Sequence, residues 1–539
     1  MGCWRRADQK MAIRGWLGPL LLVALAFLAT MHVPADTPAR DAFHEGEYLS
    51  AWVLPFTAQQ GVMPRLIHGG MDHIPARAVA AACDPARQIA CIRWANAGIT
   101  WLASILFLLA AWLIVQPLKP ALAAAALLPA MSLVLFVNGS ATNAVDLQQG
   151  APAVRDLAVL GVLLPLIAWC RRQEGDRQAG PWLAPWLPAV AGAIAGLGWF
   201  WAYNRGTIAL IAVVAVATAP LVLRRDVRGL LAAASGFALG LLVVEASGVY
   251  GSIAGNLDNL AYWGRHRDLY ATTWDTPTWV LVAPAALLLA ATLTASTILA
   301  WRSLRRGQMA DAVIISLLSL VTLLYVAQTV ARPDRPHLAW ALCPVMLLVT
   351  ALLVVVFRSS APMSRPTIAV AIMTAVAVTF FYGHSGPARV ALALVRSLAM
   401  PWRFTDMVVP ADTDLADPGL REAAAAIRAE APACTMAMTN EGLLYLLAAT
   451  PPCSRFAFPV HIGRDYQQEV IEELRRRAPP VILFDSPFWA SRIDGLSLAE
   501  RTPELAAWLL DAYPREAVLT QGYRLRYRRS DGRAAAMPP

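Results

Sequence analysis

Apolar residues come in long runs through most of the chain, separated by short polar turns. The runs lie near 15–32, 96–115, 119–137, 153–170, 186–203, 205–223, 228–248, 277–300, 311–331, 338–357 and 366–384. Each is close to the roughly 17–25 residues that a helix needs to cross a hydrocarbon core. A backbone in lipid has to satisfy its own polar groups, so the pattern predicts about eleven transmembrane helices. Beyond about residue 410 the period changes. Residues 414–430 read as an amphipathic helix, 434–438 as a short strand, 441–448 and 467–477 as helices, 480–484 as a buried strand, 500–512 as a helix and 524–528 as a last strand. Alternation of short strands and helices predicts a small α/β domain. The expected fold is therefore a polytopic α-helical membrane protein: a transmembrane domain at 1–384, carrying an outer loop at 33–95, and an extracytoplasmic α/β domain at 385–539.

Composition agrees. Of 539 residues, 58% are hydrophobic and 15% charged, against about a quarter charged in a soluble protein. The net charge of +9 sits in short clusters beside the apolar runs, which excludes a nucleic-acid footprint and reads as topology. With a cytoplasmic amino terminus, one set of turns collects Lys119, Arg171, Arg172, Arg177, Arg224, Arg225, Arg228, Arg302, Arg305, Arg306, Arg358 and Arg365. The alternate loops (33–95, 138–152, 203–205, 249–276, 332–337 and everything past about 385) then face outward. That is the positive-inside pattern of a multi-pass inner-membrane protein with its carboxy-terminal domain in the periplasm. The first run follows a basic leader without a small-residue cleavage site, so an uncleaved span is expected. Cys83 and Cys91 fall in the first outer loop, and Cys434 and Cys453 in the carboxy-terminal segment, as candidate disulfide pairs for an oxidising compartment.

Chemistry concentrates in the stretch Asp41-Ala-Phe-His44-Glu45-Gly-Glu47-Tyr48, just past the first run. If a helix begins near Phe43, Glu45 and Glu47 point to different faces while Asp41 and Glu45 share one. A base has to reach the acceptor's hydroxyl, so one or two of the three can serve; a solvated loop would show the same residues. The loop continues through Arg65-Leu-Ile-His68-Gly-Gly-Met-Asp72-His73, whose glycines permit close backbone approach. His44, His68, Asp72 and His73 match no closed metal site, and no metal ligand is assigned. Outer turns carry arginines against the positive-inside trend: Tyr203-Asn-Arg205-Gly206, Arg265-His-Arg267 and Arg332-Pro-Asp-Arg335-Pro-His337. Across three loops this favours an anionic ligand such as a phosphate. Tyr262 and Trp263, beside Arg265, suit either an interfacial anchor or a sugar-stacking surface.

The stretch from Asp41 to Leu49, with its continuation through Gly61, Pro64 and His68-Gly-Gly-Met-Asp72, resembles the bacterial polytopic branch of the GT-C superfamily of integral-membrane glycosyltransferases. The turns at Tyr203–Gly206 and Arg332–His337 look like recurrent elements of such proteins, and the stretches at 440–446 and 452–456 are similar to their outer domains. The resemblance covers the chain by architecture and only in short motifs. It implies a hexosyl- or pentosyltransferase that moves a sugar from a polyprenyl-phosphate donor to an extracytoplasmic acceptor (glycan, lipid or protein), with inversion. It further implies Glu45 or Asp41, with Glu47 a third candidate, as the carboxylate base. Arg205, Arg332, Arg335 and His337 would hold the donor phosphate, while His44, His68, Asp72, Tyr262, Trp263 and Arg265 make acceptor or loop contacts. Membrane lipids are expected around the helices, and nucleic acid is not a partner. Glu-Gly-Glu replaces the paired Asp-Glu of the protein mannosyltransferase and lipid-A aminoarabinose transferase branches, which leaves the base and any divalent cation open. A lipid-linked glycan flippase, or an O-antigen-type polymerase or ligase centred on Arg332, Arg335 and His337, are the alternatives.

Overall fold

A computed structural model of the chain describes residues 18–28, 42–138, 150–175, 186–270, 276–329, 337, 340–358, 409–492 and 495–529. In chain order the main helices are α1 (Gly18–Leu28), α2 (Ala42–Tyr48), α3 (Val53–Gln60), α4 (Ile74–Ala82), α5 (Gln88–Val115), α6 (Pro120–Phe136) and α7 (Leu157–Gly175). Then come α8 (Trp186–Trp199), α9 (Tyr203–Arg224), α10 (Arg228–Ser247), α11 (Ile253–Arg265), α12 (Thr276–Arg305), α13 (Met309–Thr329) and α14 (Leu342–Arg358). The carboxy-terminal segment adds α15 (Pro418–Ala429), α16 (Leu443–Leu447), β1 (Val481–Asp485), β2 (Arg515–Val518) and β3 (Arg524–Tyr527), with α17 (Gln467–Arg477) before β1 and α18 (Pro503–Ala512) after it. Every apolar run of the sequence contains one of these helices except 366–384, which lies outside the described residues. Five stretches are long and apolar enough to cross a membrane: Pro85–Val115, Tyr203–Val222, Arg228–Ser247, Ala286–Arg305 and Met309–Thr329. The protein is a membrane protein.

The chain divides into two compact units. One holds 1–34, 96–246 and 272–407, and the other 35–95, 247–271 and 408–539. The loop at 35–95 thus groups with the carboxy-terminal segment, whereas the sequence placed it with the transmembrane domain. Its apolar side chains explain why: Phe43, Trp52, Val53, Phe56 and Leu66 are buried in one cluster with Leu420, Ile427, Leu443, Phe458 and Leu525.

In the helical unit, turns are tight and contacts small. Tyr203–Gly206, expected as a turn, is the first turn of α9, and the reversal falls at 200–202. Gly206 allows this, because a Cβ there would lie 2.4 Å from Trp199 Cα. Helices α8 and α10 meet through Gly192, Gly196, Gly236 and Gly240, two small-xxx-small pairs. Lipid offers no hydrophobic drive between helices, so their contact rests on van der Waals fit between closely approaching backbones. A Cβ on Gly192 would stand 2.0 Å from Ala233 O, and one on Gly236 would stand 1.9 Å from Ala189 O. Gly236→Val is therefore expected to cost at least about 1–3 kcal/mol. It should appear as a lowered Tm and a loss of monodisperse protein in detergent; an unchanged melting curve would mean that the two helices are not held by this seam.

Ion pairs gather the helix ends. Asp311, at the start of α13, binds Arg171 from the end of α7, and its Oδ2 lies 2.5 Å from a guanidinium nitrogen of Arg358 at the end of α14. At the opposite ends of α7 and α13, Asp156 accepts the Tyr325 hydroxyl at 2.9 Å and lies 3.4 Å from Arg205 Nε. Arg155 there stacks 3.6 Å over the Trp340 ring. Helices that cross back and forth bring their ends together in this way.

The second unit is built on an antiparallel sheet of order β1-β3-β2. Side chains of β1 alternate, with Val481 and Leu483 in one buried cluster and Ile482 in another. The second cluster includes Tyr262, Met436, Met438, Ile471, Leu474, Leu509 and Tyr513. Strand β1 and helix α17 form where the sequence placed them, while β2 was not foreseen because its four residues are mostly exposed and show no alternation. The stretch 434–438 makes isolated bridges only, Thr435 to Pro452 and Ala437 to Leu483. Helix α15 starts later than expected: Pro418 occupies its first position and Asp417 caps it by accepting the N–H of Gly419. Cys83 is bonded to Cys91 and Cys434 to Cys453, whereas Cys170 and Cys343 are free and buried.

Candidate functional site

Helix α2 carries the acids. Its short turn lets Glu45 and Glu47, two residues apart, leave on different faces. Gly46 between them is obligatory, since a Cβ there would come within 2.5 Å of Leu443 N and 2.7 Å of Gly442 Cα. The backbone of α2 thus rests directly on the 442–443 peptide. Both glutamates are buried.

Glu45 is neutralised. Arg93, in the first turns of α5, holds its carboxylate bidentately, Nε to Oε1 at 2.5 Å and a terminal nitrogen to Oε2 at 3.1 Å. Glu47 has different company. Its Oε1 lies 3.5 Å from Nε2 of His461, an ion-pair distance at the limit of a hydrogen bond, and has no closer partner among the described residues. Burial pushes its carboxyl up, but the His461 imidazole and the charges of His68 and His44 outweigh that, leaving the pKa below the ordinary glutamate value. His461 is itself positioned through Nδ1, 3.2 Å from Arg65 O, with the Trp263 ring edge-on against it.

The motif His68-Gly-Gly-Met-Asp72 closes on itself. Oδ1 of Asp72 lies 3.0 Å from His68 Nδ1, and Oδ2 accepts the His68 backbone N–H at 3.2 Å. Gly69 makes the reversal at φ 104°, ψ −139°, a conformation open to glycine. Gly70 permits the ring of Tyr250 to approach, because a Cβ would be 2.5 Å from it. Burial drives the Asp72 carboxyl upward, with His68 pulling against it. His73 is buried too, and desolvation takes its imidazole down to about 3, so it stays neutral at ordinary pH.

Around this core, α11 supplies anchors. The Tyr262 hydroxyl donates to His461 O at 2.5 Å and accepts the Gly463 N–H at 2.9 Å, while Arg65 stacks 4.7 Å above its ring. Trp263 Nε1 and Asn259 Nδ2 both donate to Leu66 O, at 2.8 and 2.7 Å. Tyr262 and Trp263 therefore make loop contacts, fixing the segments that carry His68 and His461. Arg65 pairs with Asp258 at 2.8 Å. Arg265 is exposed, its Nε 3.4 Å from Ala261 O. His44 is half-buried against Phe43.

The remaining expected positions separate. Arg205 belongs to the helical unit, where it is buried, bound to Gln328 and Asp156, and stacked 3.7 Å over the Tyr325 ring. His337 packs its ring 4.0 Å from that of Trp340. Asp41, Arg332 and Arg335 lie outside the described residues. Among the described residues no group of three or more His, Cys, Asp and Glu is arranged to hold a metal ion. Sequence reasoning missed Arg93 and His461. Arg93 had a signal, an arginine just before an apolar run; His461, in Phe-Pro-Val-His, had none.

No family model matches the chain, and no curated protein matches it. Among solved structures it is similar to the oligosaccharyltransferase of Archaeoglobus fulgidus in its apo form, at 11% identity, covering 92% of this chain and 73% of that one with a TM-score of 0.46. That likeness is too faint to carry a fold or an activity across.

Proposed function

We propose that the protein is an integral-membrane glycosyltransferase that moves a sugar from a polyprenyl-phosphate donor to an extracytoplasmic acceptor, with inversion. The observation that carries this reading is Glu47, a buried carboxylate held below its ordinary pKa among imidazoles on the loop after the first apolar helix. Keeping a carboxylate charged out of water is costly unless partner charges offset it, and such groups cluster at reaction centres. Of the two acids on α2, Glu45 has both oxygens committed to Arg93, so between them the catalytic charge falls to Glu47; Asp41, the other candidate, lies outside the described residues. Two disulfides in the same unit suit an oxidising compartment. The donor's apolar tail would lie among the helices. Its phosphate would fall chiefly to Arg332, Arg335 and His337, because Arg205 is already paired with Asp156.

The reaction forms a bond between the acceptor oxygen and the anomeric carbon, breaks the bond to the phosphate oxygen, and releases polyprenyl phosphate. The test is purified protein in nanodiscs offered a panel of polyprenyl-phosphate sugars and acceptors. Acceptor-dependent release of polyprenyl phosphate is the expected result. Movement of intact lipid-linked sugar between leaflets, with no bond broken, would replace this reading with a flippase.

A further inference from the structure

We infer that His68, its Nδ1 tied to Asp72 and its Nε2 left for the substrate, is the general base that takes the acceptor's proton. This rests on the transferase reading above and names the group that the reading leaves open.

Three observations carry it. The first is the fork: Asp72 holds the His68 ring through Oδ1 and the His68 backbone through Oδ2, at 3.0 and 3.2 Å. A carboxylate accepts only from Nδ1–H, so the neutral imidazole keeps its lone pair on Nε2, which makes no hydrogen bond among the described residues. The second is the turn. Asp72 comes back onto His68 through Gly69 at positive φ and through Gly70 under the Tyr250 ring, with Asp72 N–H donating to Gly69 O at 3.2 Å. Gly69 makes the reversal at positive φ, and Gly70 leaves room for the Tyr250 ring and Ile74 to close over it. The third is the gradient of exposure. The Asp72 side chain is 2% exposed and that of His68 is 17%, so the carboxylate sits behind and the imidazole at the edge. The Tyr48 ring, nearly parallel at 6° and 6.1 Å away, sets the plane.

Of the imidazoles nearby, His44 packs against Phe43, and two others are otherwise engaged. His73 is buried and neutral, and His461 turns its Nε2 to Glu47. Among the described residues, the charged groups that interact with His68 are Asp72 and Glu47. When the acceptor hydroxyl attacks, its proton passes to Nε2, and those two carboxylates balance the imidazolium. The electron pair of the broken bond leaves with polyprenyl phosphate, and His68 then returns its proton to solvent. Asp72 is a positioning residue in this scheme, acting only through the ring that it holds.

The experiment labels the full-length protein in nanodiscs with diethyl pyrocarbonate and reads each histidine by peptide mass spectrometry. His266 is the internal control, because its side chain is 15% exposed, close to that of His68, and its nearest acid, Asp465, is 3.8 Å from Nε2. His68 is expected to react about tenfold faster than His266, and Asp72→Asn should remove that advantage and move the pH midpoint of labelling. In the transfer assay His68→Gln should lower the rate by about 10²–10⁴ and abolish the acid limb of the pH profile. Labelling of His68 no faster than of His266, or transfer by His68→Gln within about threefold of the parent, overturns the proposal while leaving the transferase reading intact. If the parent protein transfers no sugar, the transferase reading falls instead, and the labelling decides by itself whether Asp72 orients a reactive imidazole.

Discussion

Glu47→Gln is expected to cut glycosyl transfer by about 10²–10³ with donor binding nearly unchanged, the loss typical of removing one preorganised charge from a reaction centre. The amide keeps the shape of the side chain and deletes the charge that His461, His68 and His44 surround. Initial rates, donor Kd and Tm should be measured together, since a buried glutamine that merely loosened the unit would lower all three. Glu45→Gln is the contrast: its oxygens serve Arg93, so its rate should follow its stability. A Glu47→Gln protein with the parent's rate would remove Glu47 from the mechanism. The pH dependence has a definite sign. Because the folded pKa of Glu47 is lowered from 4.5, its ionised form adds stability that is present above that value. The contribution is lost as pH falls through the lower folded pKa. An acid limb of the rate lying above the ordinary glutamate range thus does not come from Glu47.

Arg93→Ala carries the largest expected effect on folding, about 3–5 kcal/mol, because it strands a buried carboxylate without its cation. Glu45 is 2% exposed and its two oxygens meet the guanidinium of Arg93. The interaction joins α2 to the start of α5, where Asp412 already caps the helix by accepting the N–H groups of Gln88 and Ile89 at 3.2 and 2.8 Å. Removing both charges at once, as in Glu45→Leu with Arg93→Met, should recover most of the loss, since the pair's attraction offsets a desolvation cost that the apolar pair never incurs. Denaturant unfolding of the single and double variants measures this. A single variant as stable as the parent would mean that water reaches Glu45.

The different faces of Glu45 and Glu47 were legible from their two-residue spacing, whereas the closure of Asp72 onto His68 was not: the two glycines were read only as room for a close approach. Which acid stays charged was not legible. That depends on Arg93, 48 residues from Glu45, and on His461, which reaches Glu47 from the far end of the chain. Arg205 shows the same limit. Its position at an outer helix end suggested a phosphate ligand, and the fold surrounds it with Asp156, Tyr325 and Gln328.

By itself the sequence located the apolar helices, the change of period past residue 410 and the cysteines that were candidates to pair. Each follows from a local rule: a helix in lipid satisfies its own backbone, an amphipathic period declares its own buried face, and a thiol in a short loop finds a near neighbour. Only the tertiary structure decided that the loop after the first apolar run folds with the carboxy-terminal segment, and which of its acids is neutralised. Burying a charge is a transaction with whatever side chain arrives beside it, and no period along the chain encodes who that will be.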